Sequence, residues 1–212
     1  MQTNWLEPLP LVAILRGLSP DEAVAIGDAL ITAGFHILEV PLNSPEPLES
    51  IRRLSDAFGK DCLVGAGTVM TPDAVAEVAQ AGGRLIVTPH TDPAVIVAAK
   101  TAGMLCTPGT ATPSEAFAAL RAGADAIKVF PAEQVTPKVL RAWRAVLPPQ
   151  TAILPVGGIT LQNMAEYLHA GATGFGIGSA LYKPGKSVDE VARAAHDFVH
   201  RWKFLATARS HA

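Results

Sequence analysis

The feature that most constrains this chain is a recurrence. Eight short apolar runs, at 11–15, 37–42, 63–69, 85–88, 104–106, 126–130, 152–156 and 173–177, are each followed by a longer amphipathic stretch. The runs are nearly continuous in apolar residues rather than alternating, which is the pattern of parallel strands covered on both faces. The stretches between them carry helix punctuation. Ser19-Pro20, Thr71-Pro72, Thr91-Asp92-Pro93 and Thr112-Pro113 each place a capping hydroxyl ahead of a proline suited to the first helical turn. Ala-Gly pairs at 33–34, 81–82, 102–103, 122–123 and 170–171 supply left-handed helix stops. Eight strand–helix units at this spacing predict an α/β chain closing into a (β/α)8 TIM barrel. An open flavodoxin-like or Rossmann sheet is the alternative. Against it, the first strand–helix turn, Leu15-Arg16-Gly17-Leu18-Ser19, carries no Gly-x-Gly-x-x-Gly sequence.

The length of 212 residues suits a single domain over 1–212. Within it, 1–10 is expected to cap the barrel, with Trp5 as a helical plug, and 204–212 to fray. A composition 49% hydrophobic and 17% charged can build a large core, and a net charge of -2 without a basic block argues against nucleic acid as a partner. No apolar run approaches the roughly 20 residues of a membrane helix, and the N-terminus lacks a secretory pattern, so the expected setting is cytoplasmic, away from membranes. Cys62 and Cys106 read as small core residues, and no spacing suggests a metal site.

In such a barrel, chemistry gathers where strands end. Lys128 interrupts the run Ala126-Ile127-Lys128-Val129-Phe130. A lysine there is either a salt-bridged structural residue or an amine whose pKa desolvation lowers, leaving it neutral enough to attack a ketone. Glu39, inside Ile37-Leu38-Glu39-Val40, is either a counter-ion to Lys128 or Arg16 or a general acid/base. Gly157-Gly158 and Gly178-Ser179 end the last two strands, where backbone N–H groups can cradle a phosphate, although tight turns also select glycine. Arg16 can hold a carboxylate or phosphate, or form a rim ion pair. Thr68 and Pro89 fall at the ends of the third and fourth strands, and His90 reads as a loop histidine.

The motifs Ala13-Ile14-Leu15-Arg16-Gly17, Glu39-Val40-Pro41-Leu42-Asn43-Ser44, Gly65-Ala66-Gly67-Thr68, Lys128-Val129-Phe130-Pro131-Ala132-Glu133 and Pro155-Val156-Gly157-Gly158 resemble those of the class I 2-keto-3-deoxy-6-phospho-sugar-acid aldolases. The likeness runs in order from about Leu11 to Phe198. It implies a Schiff base at Lys128, proton transfer by Glu39, and contact of Thr68 and Pro89 with the pyruvate part. It implies phosphate binding at Gly157, Gly158, Gly178 and Ser179, no cofactor and no metal, and a homotrimer.

Two departures separate branches of the family. Asn43 stands where the phosphogluconate branch has an arginine for the substrate carboxylate, which reassigns that role to Arg16. Val156 stands where that branch has threonine, beside the C4 hydroxyl in which the two substrates differ. Both changes are similar to the phosphogalactonate branch. The implied reaction is reversible cleavage of 2-keto-3-deoxy-6-phosphogalactonate, a phosphorylated keto-sugar acid, to pyruvate and glyceraldehyde 3-phosphate. The alternatives are the phosphogluconate epimer as main substrate, a metal-free phosphosugar isomerase, and a non-catalytic sugar-phosphate-binding barrel.

Overall fold

The apolar runs become strands because both of their faces are covered, and the computed structural model describes them within residues 5–210. In chain order they are β1 (Leu11–Ile14), β2 (Ile37–Pro41), β3 (Leu63–Gly67), β4 (Leu85–Val87), β5 (Leu105–Thr107), β6 (Gly109–Thr110), β7 (Ile127–Val129), β8 (Ile153–Pro155) and β9 (Phe175–Ile177). Among the described residues eight helices follow the strands in turn, except between β5 and β6. They are α1 (Pro20–Ala33), α2 (Pro47–Phe58), α3 (Pro72–Gln80), α4 (Pro93–Thr101), α5 (Pro113–Arg121), α6 (Pro137–Arg144), α7 (Met164–His169) and α8 (Val188–Ser210).

All strand pairs are parallel, and they form a curled sheet in two segments. One has six strands in the order β5-β4-β3-β2-β1-β9, and the other has three in the order β6-β7-β8. The expected eight-stranded continuous ladder is therefore interrupted. The break falls at Pro108, which has no N–H to donate and separates β5, on the fifth apolar run and paired to β4, from β6, just beyond it and paired to β7. Between β8 and β9 there is an isolated bridge, Val156 to Gly176, and a hydrogen bond from the Thr173 N–H to the Ile153 carbonyl at 2.8 Å.

Alternation within each strand sorts side chains into two layers. Leu38 and Val40 of β2, and Ile127 and Val129 of β7, face the helices in the main core. Ile37, Leu85, Val87, Ala126 and Leu154 belong to a second cluster, with Leu6 within it and Trp5 packed against it. Glu39 and Lys128 alternate with the first set, so their side chains share the second face. The strands read as unbroken apolar runs because both layers are dry.

Helix punctuation follows the expectation at α3 and α5 and is corrected at α4, while at α1 the Ser19 hydroxyl donates to Glu22 at 3.2 Å. Thr71 accepts from the Ala74 N–H at 3.2 Å and Thr112 from the Glu115 N–H at 3.3 Å. At α4 the cap is Asp92, whose carboxylate accepts from the Ala94 N–H at 2.8 Å, while the Thr91 hydroxyl donates instead to the Gly109 carbonyl. A carboxylate beside the helix N-terminus outcompetes a neighbouring hydroxyl for the same N–H. Gly34 and Gly171 take φ of 114° and 104°, the left-handed stop that the Ala-Gly pairs predict.

Two terminal expectations change. Trp5 and Leu6 lie in a turn, not a helix, although they do pack under the strands. Helix α8 runs through Ser210 instead of fraying from 204, with Leu205 buried and Trp202 edge-on to Phe175 at 6.4 Å. Residues 1–4 of the capping segment, and His211 with Ala212 of the tail, lie outside the described residues. Cys62 and Cys106 are free and buried, and burial pushes both thiols up to about 12.

Candidate active site

Parallel pairing brings the two charged strand residues to one interior. Glu39 lies opposite Ile14 and Gly65 in the ladder, and Lys128 opposite Gly109 and Leu154. Both are nearly sealed from solvent, Glu39 at 2% and Lys128 at 5% exposure. They line the same narrow interior void with Val12, Leu85 and Leu154. A charge placed there costs several kcal/mol unless compensated, so the protonation states shift. Burial raises Glu39 above the usual carboxylate range, against the opposing attraction of Lys128 and Arg16. Burial lowers Lys128, with Glu39 resisting and Arg16 adding to the shift. The pair is thereby driven toward a neutral amine and a protonated acid, the states needed for attack on a carbonyl and for proton delivery. The Lys128 Nζ also lies 4.8 Å from the Phe130 ring centroid, so an aromatic face bounds the amine.

Above the lysine opens a cavity of about 440 Å³. Arg16, Lys128, Val156, Gly157, Gly158, Gly178 and Ser179 line it, which unites seven of the residues singled out in the sequence. The tight backbone at Gly157 and Gly158, with φ of 100° and 62°, demands glycine and turns the chain around this opening. At Gly178 a Cβ would meet no atom within 4 Å, so the space beside it is open to a ligand.

Four singled-out residues are placed differently. Glu39 sits beneath the cavity, in the interior void. Asn43 is not a lining residue; its Oδ1 accepts from the Arg16 guanidinium at 2.6 Å, and the neighbouring Ser44 hydroxyl accepts from the Gly17 N–H at 2.9 Å. Thr68 follows β3 with a left-handed φ of 57°, a strained conformation for a β-branched residue, and does not line the cavity. Pro89 does not line it either; its carbonyl packs on Gly109, where a Cβ would lie 2.5 Å from it.

Several lining residues escaped sequence reasoning. Gly17, Tyr182, Lys183 and Pro184 complete the rim, the last three from the loop after β9. The signal was a basic residue directly ahead of Pro184-Gly185, four positions beyond Ser179. Thr107 is a second omission. Its buried hydroxyl has no hydrogen-bond partner among the described residues and faces the same void as Glu39 and Lys128. Among the described residues, no cluster of three or more His, Cys, Asp or Glu is arranged to hold a metal, and no helix is long and apolar enough to cross a membrane.

A buried amine and carboxyl lie under an open cavity on a curled parallel sheet, and comparison with known proteins identifies the class of α/β enzyme to which this arrangement belongs. The sequence matches the family described as "Aldolase: KDPG and KHG aldolase" over residues 3–194, and the chain belongs to that family of lyases. Within it, the chain is 47% identical over 200 residues to the 2-dehydro-3-deoxy-6-phosphogalactonate aldolase of Escherichia coli (strain K12), covering 94% of this chain and 98% of that protein. It is 49% identical over 186 residues to a probable 2-dehydro-3-deoxy-6-phosphogalactonate aldolase of Rhizobium meliloti (strain 1021), covering 88% of each. A solved structure described as native KDPGal superposes with a TM-score of 0.93 at 46% identity, covering 94% of this chain and 97% of that one.

Proposed function

We propose that this chain is a Schiff-base aldolase that reversibly cleaves 2-keto-3-deoxy-6-phosphogalactonate to pyruvate and glyceraldehyde 3-phosphate. The observation that carries the reading is the buried Lys128–Glu39 pair beneath a cavity lined by two glycine turns. The neutral Lys128 amine attacks C2, and the protonated Glu39 gives its proton to the departing hydroxyl as the carbinolamine loses water, leaving an iminium and a Glu39 carboxylate. Glu39, through a water, takes the C4 hydroxyl proton as the C3–C4 electron pair moves into the iminium. Glyceraldehyde 3-phosphate leaves, and Lys128 holds the enamine of pyruvate. Glu39 returns its proton to C3, and hydrolysis frees pyruvate and the amine. Arg16 binds the substrate carboxylate, with Thr68 and Pro89 beside the pyruvate part. Gly157, Gly158, Gly178 and Ser179 bind the phosphate through backbone N–H groups and a hydroxyl. No metal or other cofactor has a step in this sequence.

The choice between C4 epimers rests on Val156, a methyl-bearing residue on the cavity wall, and on the two relatives named for the galacto substrate. The phosphogluconate epimer is the second reading, since one missing hydrogen bond of about 1 kcal/mol biases a choice without closing it.

The same reading treats the two sheet segments as arcs of one closed (β/α)8 barrel in one domain spanning 1–212. Support comes from the short step between β5 and β6 across Pro108 and from the Val156–Gly176 bridge. A cytoplasmic homotrimer carries over from the family resemblance.

The test is intact-mass spectrometry after incubation with pyruvate and borohydride, on the wild type and Lys128→Ala. One reduced pyruvate on the wild type alone supports the mechanism, and relative kcat/KM on the two epimers then assigns the substrate. No adduct on either protein overturns it and returns the isomerase and binding-protein readings.

A further inference from the structure

We propose that Lys183 is a phosphate-binding residue that sets the preference of this chain for a phosphorylated over an unphosphorylated keto acid. The assignment rests on the reading of the glycine-turn wall as the phosphate end of the cavity.

The first argument is charge. The cationic residues lining the cavity are Arg16, Lys128 and Lys183. Lys128 is buried in the strand and serves the carbonyl carbon. The Arg16 guanidinium is held by Asn43. The glycine turns offer only neutral N–H groups, and a carboxylate stands against them. A Cβ on Gly157 would lie 2.6 Å from one Glu133 oxygen, and a Cβ on Gly158 would lie 2.8 Å from the other. A dianion entering this wall meets a like charge, so binding there calls for a cation close by.

The second argument is position. The loop after β9 is fastened at every point around Lys183. The Gly178 carbonyl accepts from the Leu181 and Tyr182 N–H groups at 2.8 and 3.0 Å. The Tyr182 hydroxyl donates to Glu22 at 2.8 Å, and the Lys186 ammonium donates to the Ala180 and Leu181 carbonyls at 3.2 and 3.0 Å. Pro184 packs on Gly17, where a Cβ would lie 2.5 Å from its ring. Lys183 itself is exposed, and its ammonium has no ion pair or hydrogen bond among the described residues. A fixed loop thus presents an unengaged point charge at the edge of the glycine-lined wall, a form of phosphate recognition open to lysine.

The experiment compares kcat/KM for cleavage of 2-keto-3-deoxy-6-phosphogalactonate and of its unphosphorylated counterpart, using wild type, Lys183→Met and Lys183→Arg. The borohydride-trapped pyruvate adduct serves as the folding control. In Lys183→Met the phosphorylated-to-unphosphorylated ratio is expected to fall about tenfold, mainly through KM, as for loss of a partly solvated charge-assisted contact. Lys183→Arg keeps most of the ratio, and added salt narrows the gap between wild type and Lys183→Met. If wild type prefers the phosphorylated substrate and Lys183→Met keeps the full ratio, the assignment of Lys183 falls alone. If wild type makes no distinction between the substrates, the phosphate reading falls and takes this assignment with it.

Discussion

Glu39 and Gly67 compete for one volume: a Cβ at Gly67 would lie 1.7 Å from the Glu39 Oε1. The two are on neighbouring strands, and the absent side chain of one makes room for the carboxylate of the other.

Gly67→Ala should therefore act as a remote deletion of Glu39. The carboxylate has to swing away from the interior void, and the overpacked strand loses about 1–3 kcal/mol of stability. Loss of a positioned acid/base predicts a fall in kcat of roughly 100-fold or more. Retro-aldol kinetics alongside thermal unfolding check both. An Ala variant that remains folded with wild-type kcat removes Glu39 from the proton path.

Glu39→Gln should change how stability depends on pH. The folded-state pKa of Glu39 is raised, so the stability it contributes is complete below its ordinary 4.5 and is lost as pH rises through the folded value. Glutamine has no such loss. Lys128 is shifted the other way, and without Glu39 its attraction is gone, so it deprotonates at lower pH in the variant. The Glu39 change alone therefore predicts that, relative to wild type, Glu39→Gln gains stability as pH rises above 4.5, and the Lys128 change has the same sign. Urea unfolding across that rise in pH measures it, and a pH-independent difference contradicts the buried-pair picture.

Val156→Thr tests substrate choice. The residue is 8% exposed and lines the cavity, and its Cγ2 approaches the strand at Gly176. A hydroxyl there adds one hydrogen bond of about 1 kcal/mol toward the phosphogluconate epimer, a shift of roughly fivefold in the ratio of kcat/KM values. Equal effects on both epimers would place the C4 hydroxyl elsewhere.

Asn43→Ala releases the Arg16 guanidinium from its 2.6 Å hydrogen bond. Arg16 is exposed, and on the proposed reading of it as the carboxylate clamp its disorder should raise KM for pyruvate in the condensation direction by about threefold to tenfold, with a smaller change in kcat. If pyruvate KM is unchanged while the aldehyde KM rises, Arg16 serves the phosphate end instead.

Much of the site was legible because polar residues inside apolar runs are costly. Lys128 and Glu39 stand out for that reason alone, and the glycine pairs stand out as turns. What escaped had no such cost. Lys183 is an ordinary surface lysine in one dimension, and becomes a rim cation only because the loop after β9 is tied to α1 through Tyr182 and Glu22. Thr68 and Pro89 looked equivalent to the other strand-end residues, yet both sit away from the cavity lining. Strand-end position specifies the face of the sheet but not the direction of a side chain once the backbone turns left-handed, as it does at Thr68.

The sequence by itself determined the alternation of strand and helix, the parallel class of sheet, the helix stops at Ala-Gly pairs, and the identity of the buried amine and carboxyl. These follow from local rules: burial on two faces, left-handed caps, and the expense of an ionisable group in an apolar strand. Only the tertiary structure decided that Pro108 breaks the sheet into two segments, that Asn43 acts on the cavity through Arg16, and that Gly67 exists to admit Glu39. Those relationships join residues 27 or 28 positions apart, or strand segments that pair with different neighbours. Steric exclusion and hydrogen-bond pairing across such distances depend on register and curvature, which no single stretch of sequence contains.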